Sequence, residues 1–433
     1  MNIAIVGSDP NALVCAIEAR KAGHEVTVFE GEKLGGVSSV LPSCPLAPEV
    51  ATLMDLGVSL EIVGRAGLSG NGESVSLSLR DLSGDVTERD KARWRDFVMT
   101  MNKASEIWRG LFDGTPVVER WREFGRRQSM EVLRLPWQSL SELLNEWFES
   151  EILKSTLAVA ALRGTRQGPF APGTAFLLIQ RWARGEVFGR SRTGAMALKK
   201  KAEELGVTVR AGGISELVVS GGQIEAVAVG EGEPLKADLY ITSEDPVQTL
   251  LHRIGAHHLD PDDLAVVSSW DCRSTTTVAK VAPSDRWSGA VVSLADSVNS
   301  LEKAYDPTKY GGYSQEPFAE LDSRSGWLYV QHLDGEEASQ KVDALCEKFE
   351  LGEVKRLFTP TDLKEKFGVT GGHLFGGEKT LWQSYSLRER LINPLPNLFL
   401  CGASTGPGDY SGVSGLLTAA QIGRFEPIPA EVS

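Results

Sequence analysis

Apolar residues open the chain as a short block, Ile3 to Val6, and return as a second block, EVTVFE, that ends at Glu30. Between them lie a Gly/Asp/Pro/Asn turn and a stretch of helical spacing, Ala12 to Ala22, closed by Gly23. Strand, tight turn, helix, glycine stop and strand make a βαβ opening, which predicts a parallel sheet with right-handed crossovers. Past about residue 70 the texture changes. SGNGESVSLSLRDLSGD reads as a polar hairpin, and two Trp-bearing segments, Glu88 to Phe112 and Leu140 to Ala161, carry the 3.6-residue spacing of amphipathic helices. The α/β texture returns with a helix over Thr193 to Leu205, a strand over Thr208 to Ala211, a hairpin around Ser220 to Gly222 and an apolar strand over Ala237 to Thr242. A second insertion follows, with strands over Thr275 to Val281, Ala290 to Leu294 and Trp327 to Leu333 and a helix over Glu336 to Phe349. NLFLCGASTGPGDYSGVSGLLTAAQIG then supplies strand, Gly-rich turn and helix.

Three α/β pieces separated by two insertions predict an α/β protein in which one discontinuous nucleotide-binding domain (1–70, 187–260 and 385–433) is threaded through a second, mixed domain (71–186 and 261–384). The length of 433 residues suits two such domains. The balance of 45 basic and 58 acidic side chains, 45 − 58 = −13, excludes the basic footprint of a nucleic-acid binder. Five cysteines (Cys15, Cys44, Cys272, Cys346, Cys401) are scattered without paired spacing, so neither a zinc site nor a disulfide framework is indicated and a reducing cytoplasm is expected. The N-terminus runs straight into an apolar strand with no basic n-region and no small-residue cleavage site, and nowhere do 18 apolar residues run in succession, so export and membrane spanning are not expected.

The turn GSDPNA carries the chemistry. A dinucleotide fingerprint needs glycine for the tight turn, for backbone approach to a pyrophosphate and for helix–strand packing, with an acid about 20 residues on for the ribose. Gly7 holds the first place, Asp9 the second, Ala12 the third as the tolerated substitute, and Glu30 is the acid. Asp9-Pro10 is also a good helix start, aspartate as N-cap and proline as first helical residue. A capping carboxylate uses the very amides a pyrophosphate would take. Two charges about 4 Å apart at an effective dielectric near 20 repel by about 4 kcal/mol, roughly three decades in affinity.

Glu30 followed by GEKLGG sets Gly35 and Gly36 at the spacing E-x4-GG, similar to the flavin-adenine-dinucleotide motif of the amine-oxidase superfamily. The chain resembles more specifically that superfamily's phytoene-desaturase-like family of carotenoid desaturases, isomerases and retinol saturases. GSDPNAL looks like its GAGPNGL; SRTGAMALKKKAEELGVTVRAGGISEL looks like its central segment; SEDP matches its N-x-D-P-like ending; and TPTDLKEKFGVTGGHLFGGEKTLWQ with NLFLCGASTGPG…SGVSG resembles its final FAD segment. The resemblance implies a discontinuous FAD-type Rossmann domain with an interleaved mixed α+β substrate domain. It further implies FAD as cofactor, held by Gly7, Asp9, Asn11, Ala12, Glu30, Gly35, Gly36, Ile214, Gly402, Gly412, Val413 and Ser414. Departures fall on cofactor-facing places: Asp9 for glycine, Val37 for arginine, Gly406 for histidine, Asp409-Tyr410 within a glycine run, and Glu389 for the proline after Arg388.

Two functions follow from the resemblance. The first is an FAD-dependent oxidoreductase that desaturates, saturates or isomerises an apolar or conjugated small molecule, with Arg388 a candidate near the flavin or substrate. The second is a member that has lost FAD and uses the old cleft as a non-redox enzyme or a binding or escort protein, with Asp409 and Tyr410 as an acid–base pair. Carotenoid-type relatives often work at membranes, whereas a charge of −13 argues against adhesion to an anionic surface. His252, His257 and His258 lack ligand partners at metal spacing and read as a solvated loop; His332 and His373 read as structural; Lys199 to Lys201 read as a solvated face.

Overall fold

The structure is a computed structural model that describes residues 1–31, 39, 46–56, 62–108, 132–190, 195–230, 232–283, 285–287, 289–380, 383, 393–405 and 409–423. The chain opens as β1 (Asn2–Val6), α1 (Pro10–Lys21) and β2 (Glu25–Glu30). After α2 (Pro48–Met54) come β3 (Ile62–Leu68), β4 (Ser74–Leu77) and β5 (Leu82–Gly84), then α3 (Glu88–Trp108), α4 (Leu140–Trp147), α5 (Glu151–Leu162), α6 (Ala175–Ala183) and the short β6 (Gly189–Arg190). Next are α7 (Ala195–Glu204), β7 (Thr208–Ala211), the hairpin β8 (Glu216–Ser220) and β9 (Gln223–Ala228), and β10 (Leu239–Thr242). The second insertion holds α8 (Pro261–Ser268), β11 (Thr276–Val281), β12 (Val291–Leu294), α9 (Val298–Tyr305), β13 (Ala319–Asp322), β14 (Trp327–Gln331), α10 (Ala338–Lys348), β15 (Val354–Phe358) and α11 (Pro360–Phe367). Closing the fold are β16 (Leu398–Leu400) and α12 (Val413–Ile422).

Five strands form a wholly parallel sheet in the order β16-β10-β1-β2-β7. Both faces are covered, which is why these strands read as continuous apolar runs. Ile3 and Ile5 pack with Leu13 and Ile17 of α1 and Leu198 of α7, while Ala4 and Val6 pack with Tyr240, Leu250 and Leu217 on the other side. This is the doubly covered α/β sheet expected from the opening pattern. Among the described residues the larger sheet has nine strands, antiparallel except where β3 runs parallel to β12. Thus β3, which the sequence reading left inside the 1–70 nucleotide-binding segment, pairs with β12 and β4 in the larger sheet.

The single helix expected over Leu140 to Ala161 is two helices. Phe148 turns extended (φ −129°, ψ 153°) after α4. The buried Asp90 carboxylate then accepts the Glu149 and Ser150 amides at 2.8 and 2.9 Å, which fixes the break. A contact from residues almost sixty positions away overrides a pattern that is helical throughout.

The first and last helices meet closely. A Cβ on Gly415 would lie 1.9 Å from the Asn11 carbonyl oxygen, so only glycine lets α12 approach α1 this far. Overpacking of this kind costs typically about 1–3 kcal/mol and sometimes more. Gly415→Ala is therefore expected to lower unfolding stability by about 3 kcal/mol in urea titrations; a loss below about 0.5 kcal/mol, the level of a surface change, would contradict the packing described.

Candidate functional site

In an open α/β sheet, ligands bind beyond the carboxyl ends of the strands where the strand order reverses. Here that point lies between β1 and β10. A crevice enclosing about 130 Å³ sits there, lined by Gly7 to Asp9 after β1, Phe29 and Gly31 at the end of β2, Gly213 and Ile214 after β7, Ser243 to Asp245 after β10, and Ala403, Ser404 and Tyr410 after β16. Phe367 to Val369, at the end of α11, and Gly376 close it from the second insertion.

Gly7 has φ +102°, and a Cβ there would lie 2.1 Å from Ser243 Oγ, so glycine is required on both conformational and steric grounds. Asp9 caps α1: its Oδ1 accepts the amides of Asn11 at 2.8 Å and Ala12 at 3.0 Å. Burial pushes the Asp9 carboxyl up to about 6, against the lowering effect of hydrogen bonds from Ala12, Ser243 and Asn11. Asn11 is fully buried; its Nδ2 donates to the Asp409 carbonyl at 2.8 Å and its Oδ1 accepts the Gly412 amide at 2.9 Å. Glu30 ends β2 beside the crevice and pairs with Lys199 Nζ at 2.6 Å. Lys199 is thus no member of a merely solvated basic face, as its sequence suggested: its α7 position delivers it across 169 residues of chain to Glu30.

The structure brings Gly7, Asp9, Ile214 and Tyr410 to the crevice wall, with Asn11, Ala12 and Glu30 immediately behind it. Gly402 follows β16, and Gly412, Val413 and Ser414 form the start of α12. Gly35, Gly36, Val37, Arg388, Glu389 and Gly406 lie outside the described residues. Ser404 and the Asp245 turn also line the crevice; the sequence offered them only inside longer motifs and assigned neither a role.

Asp409, at φ +89°, leads into a buried ionic network. Its Oδ2 lies 3.1 Å from Arg181 and 3.4 Å from Arg184. Burial raises its pKa, but the charges of Lys379, Arg181, Arg184 and Arg163 outweigh this and hold the carboxyl well below the usual range. A carboxylate so held keeps its charge and is poorly suited to exchange protons near neutrality. Glu186 links Arg181 to Arg163, and Glu320 of β13 accepts from Arg163 at 2.6 Å and pairs with Arg65 of β3 at 2.8 Å. The network runs from the larger sheet to the residue preceding Tyr410. Its members are dispersed in sequence, so pattern reading could not assemble them.

The histidines divide. The rings of His257 and His258 lie 3.9 Å apart in a turn after the helix Val247–Gly255. His373 is buried, with Nδ1 accepting the amides of Phe375 and Gly377 at 3.2 Å each, a structural role. His332 is also buried, and burial pulls its imidazole down to about 4. Among the described residues no group of three or more His, Cys, Asp or Glu side chains is placed to hold a metal ion, and no helix is long and apolar enough to cross a membrane.

No family model matches the chain. It is similar to "Pyridine nucleotide-disulfide oxidoreductase domain-containing protein 2" of Rattus norvegicus, with 24% identity over 71% of this chain and 63% of the relative. It is also similar to "Hydroxyneurosporene desaturase" of Rubrivivax gelatinosus, with 25% identity over 70% of this chain and 63% of that protein. The chain thus spans less than two thirds of the length of these relatives. Among solved structures it resembles an oxidoreductase from Methanosarcina mazei, at TM-score 0.59 and 14% identity over 98% of this chain and 100% of the other. Putrescine oxidase bound to putrescine superposes at TM-score 0.59 and 15% identity over 98% of this chain and 99% of the other. The structural likenesses show the shared fold, and the sequence relatives bear out the resemblance to the phytoene-desaturase-like family of the FAD-dependent amine-oxidase superfamily.

Glu320 carries the central test of the ionic network. Breaking one partner of a buried pair costs about 3–5 kcal/mol, because the other charge stays buried and uncompensated. Glu320→Gln is expected to lose stability of that order, since both Arg65 and Arg163 face it. Burial raises the Glu320 pKa, but Arg163 and Arg65 outweigh it and the net shift is downward. Its stabilisation is therefore present above its ordinary value of 4.5 and fades as pH falls below it. Stability measured against pH should show this acid-side loss in the wild type and a reduced one in Glu320→Gln; equal stability of the two proteins at neutral pH would contradict the network's role.

Proposed function

We propose that this protein is an FAD-dependent oxidoreductase of desaturase, saturase or isomerase type, acting on an apolar or conjugated small molecule. The observation that carries the reading is the crevice at the β1/β10 switch point, with glycine at the tight turn after β1 and an acid at the end of β2. The reading is supported by similarity to a hydroxyneurosporene desaturase, an oxidoreductase and putrescine oxidase. The nucleotide-binding unit in this reading comprises the three α/β pieces, and the two insertions form the substrate domain.

The described residues fit the adenosine half of the cofactor. Gly7 leaves the backbone open, Ile214 offers an apolar wall, and Glu30 at the end of β2 is the acid that this reading assigns to the ribose. They fit the pyrophosphate only if the Asp9 carboxylate gives up the α1 amides or loses its charge. Bound flavin supplies the hydride-accepting or hydride-donating ring. The chain's own part is to bind and orient: Glu30 toward the ribose, backbone at Gly7 and Asn11 toward the pyrophosphate, and Gly35, Gly36 and Gly412 to Ser414 along the rest. Arg388 is assigned to the flavin or substrate side.

A second reading, a family member that has lost FAD and uses the cleft for binding or non-redox chemistry, is favoured by one observation: Asp9 and Glu30 both already have protein partners. Absorption spectroscopy separates the two. Protein mixed with FAD below about pH 6 and then desalted should retain flavin near one per chain and bleach on reduction. Protein that stays colourless, with Asp9→Gly equally colourless, would overturn the flavoprotein reading and leave the second.

A further inference from the structure

The crevice wall is acidic. Its described lining contains Asp9, Glu244 and Asp245 and no lysine, arginine or histidine. An adenine dinucleotide brings two phosphate charges to this fold at the N-terminus of the first helix, where free amides and the helix dipole receive them. In this chain those amides are taken: Asp9 Oδ1 lies 2.8 Å from Asn11 N and 3.0 Å from Ala12 N, the place and geometry of a phosphate oxygen.

We infer that Asp9 determines which ligands the crevice accepts, its carboxylate standing in for a phosphate oxygen so that a pyrophosphate-bearing ligand binds only when that carboxylate is neutral or removed. The inference rests on the flavoprotein reading above and adds a selectivity residue to it. Of the other two acids, Glu244 has its charge met by a cation, whereas Asp245 is held, like Asp9, by neutral donors but does not sit on the α1 amides. Glu244 pairs with Arg253 at 3.0 Å, and Asp245 accepts from Thr370 N, Thr370 Oγ1 and Gln248 N at 2.8–2.9 Å. Among the described residues Asp9 is met by neutral donors, its own helix amides and the Ser243 hydroxyl.

Among the described residues, the groups facing Asp9 from the surrounding elements include no compensating cation. From the β10 turn come Ser243, Glu244 and Asp245, and burial raises the Asp245 carboxyl as well. From β16 comes Cys401, whose thiol is pushed up by burial, by Cys15 and by the charge of Asp9 itself. Tyr410 lines the crevice after Asp409, whose charge is met by Arg181 and Arg184. Lys199 is engaged by Glu30 at the end of β2. Burial raises the Asp9 carboxyl to about 6, so its charge changes within an accessible range.

The test uses the full chain with two probes, FAD and adenosine, the second lacking phosphate. Binding is followed by flavin fluorescence and by calorimetry across pH. For the wild type, the FAD dissociation constant should rise about tenfold per pH unit above about 6, while adenosine affinity stays level. Asp9→Asn keeps a good helix cap without the charge, and Asp9→Gly costs the cap only a few tenths of a kcal/mol; both should bind FAD with a flat pH profile, tighter than wild type above about pH 6. Equal, flat FAD affinity in all three proteins overturns the role of Asp9 and leaves the flavoprotein reading standing. Failure of all three to bind FAD at any pH overturns both.

Discussion

The junction made by Asn11 governs the rest of the site. One buried side chain donates to the carbonyl of Asp409 and accepts the amide of Gly412, joining the starts of helices α1 and α12, 401 residues apart. Both helices therefore point their N-termini into the same small volume. Converging helix dipoles make that volume a place of positive potential, which must be met by negative charge. Gly415 makes the approach possible, because any side chain would strike the Asn11 carbonyl. The parallel sheet positions α1 from one side and β16 positions α12 from the other, so the anion seat is a product of chain topology.

How that seat is satisfied distinguishes this chain. Asp9 supplies the negative charge internally, capping α1 at the cost of burying a carboxylate. The same atoms cannot serve both a cap and a pyrophosphate. A fold suited to dinucleotides and a residue that competes with them are thus present in one turn of four residues, and the balance between desolvation and amide hydrogen bonding sets which prevails.

The buried ions behind the crevice act on geometry more than on net stability. Arg65, Arg163, Arg181, Glu186, Glu320 and Asp409 connect β3 and β13 to α6 and to the segment before α12. Desolvation offsets most of the attraction in such networks, while any broken pair is costly, so the arrangement tolerates few alternatives. Asp409, at a left-handed φ of +89°, is paired with Arg181 and Arg184 and directly precedes the crevice-lining Tyr410. The larger sheet is in this way coupled to the wall of the nucleotide-binding crevice.

Local patterning determined what depends on neighbouring residues. The apolar blocks and the capped turn gave β1, α1 and β2 to within about two residues, and ordered motifs placed Gly7, Asp9 and Glu30 at one end of a parallel sheet, because apolar runs, N-capping and glycine turns are settled within a few positions. Even the conflict at Asp9 was legible, since cap and phosphate draw on the same amides. Tertiary structure decided whatever needed a distant partner. The Asp90 carboxylate split α4 from α5; β3 joined the larger sheet; Lys199 met Glu30; and Asp409 was committed to Arg181 on α6 and Arg184 just past it. Those outcomes are set by burial and charge pairing between segments tens to hundreds of residues apart, a distance over which hydrophobic periodicity carries no information.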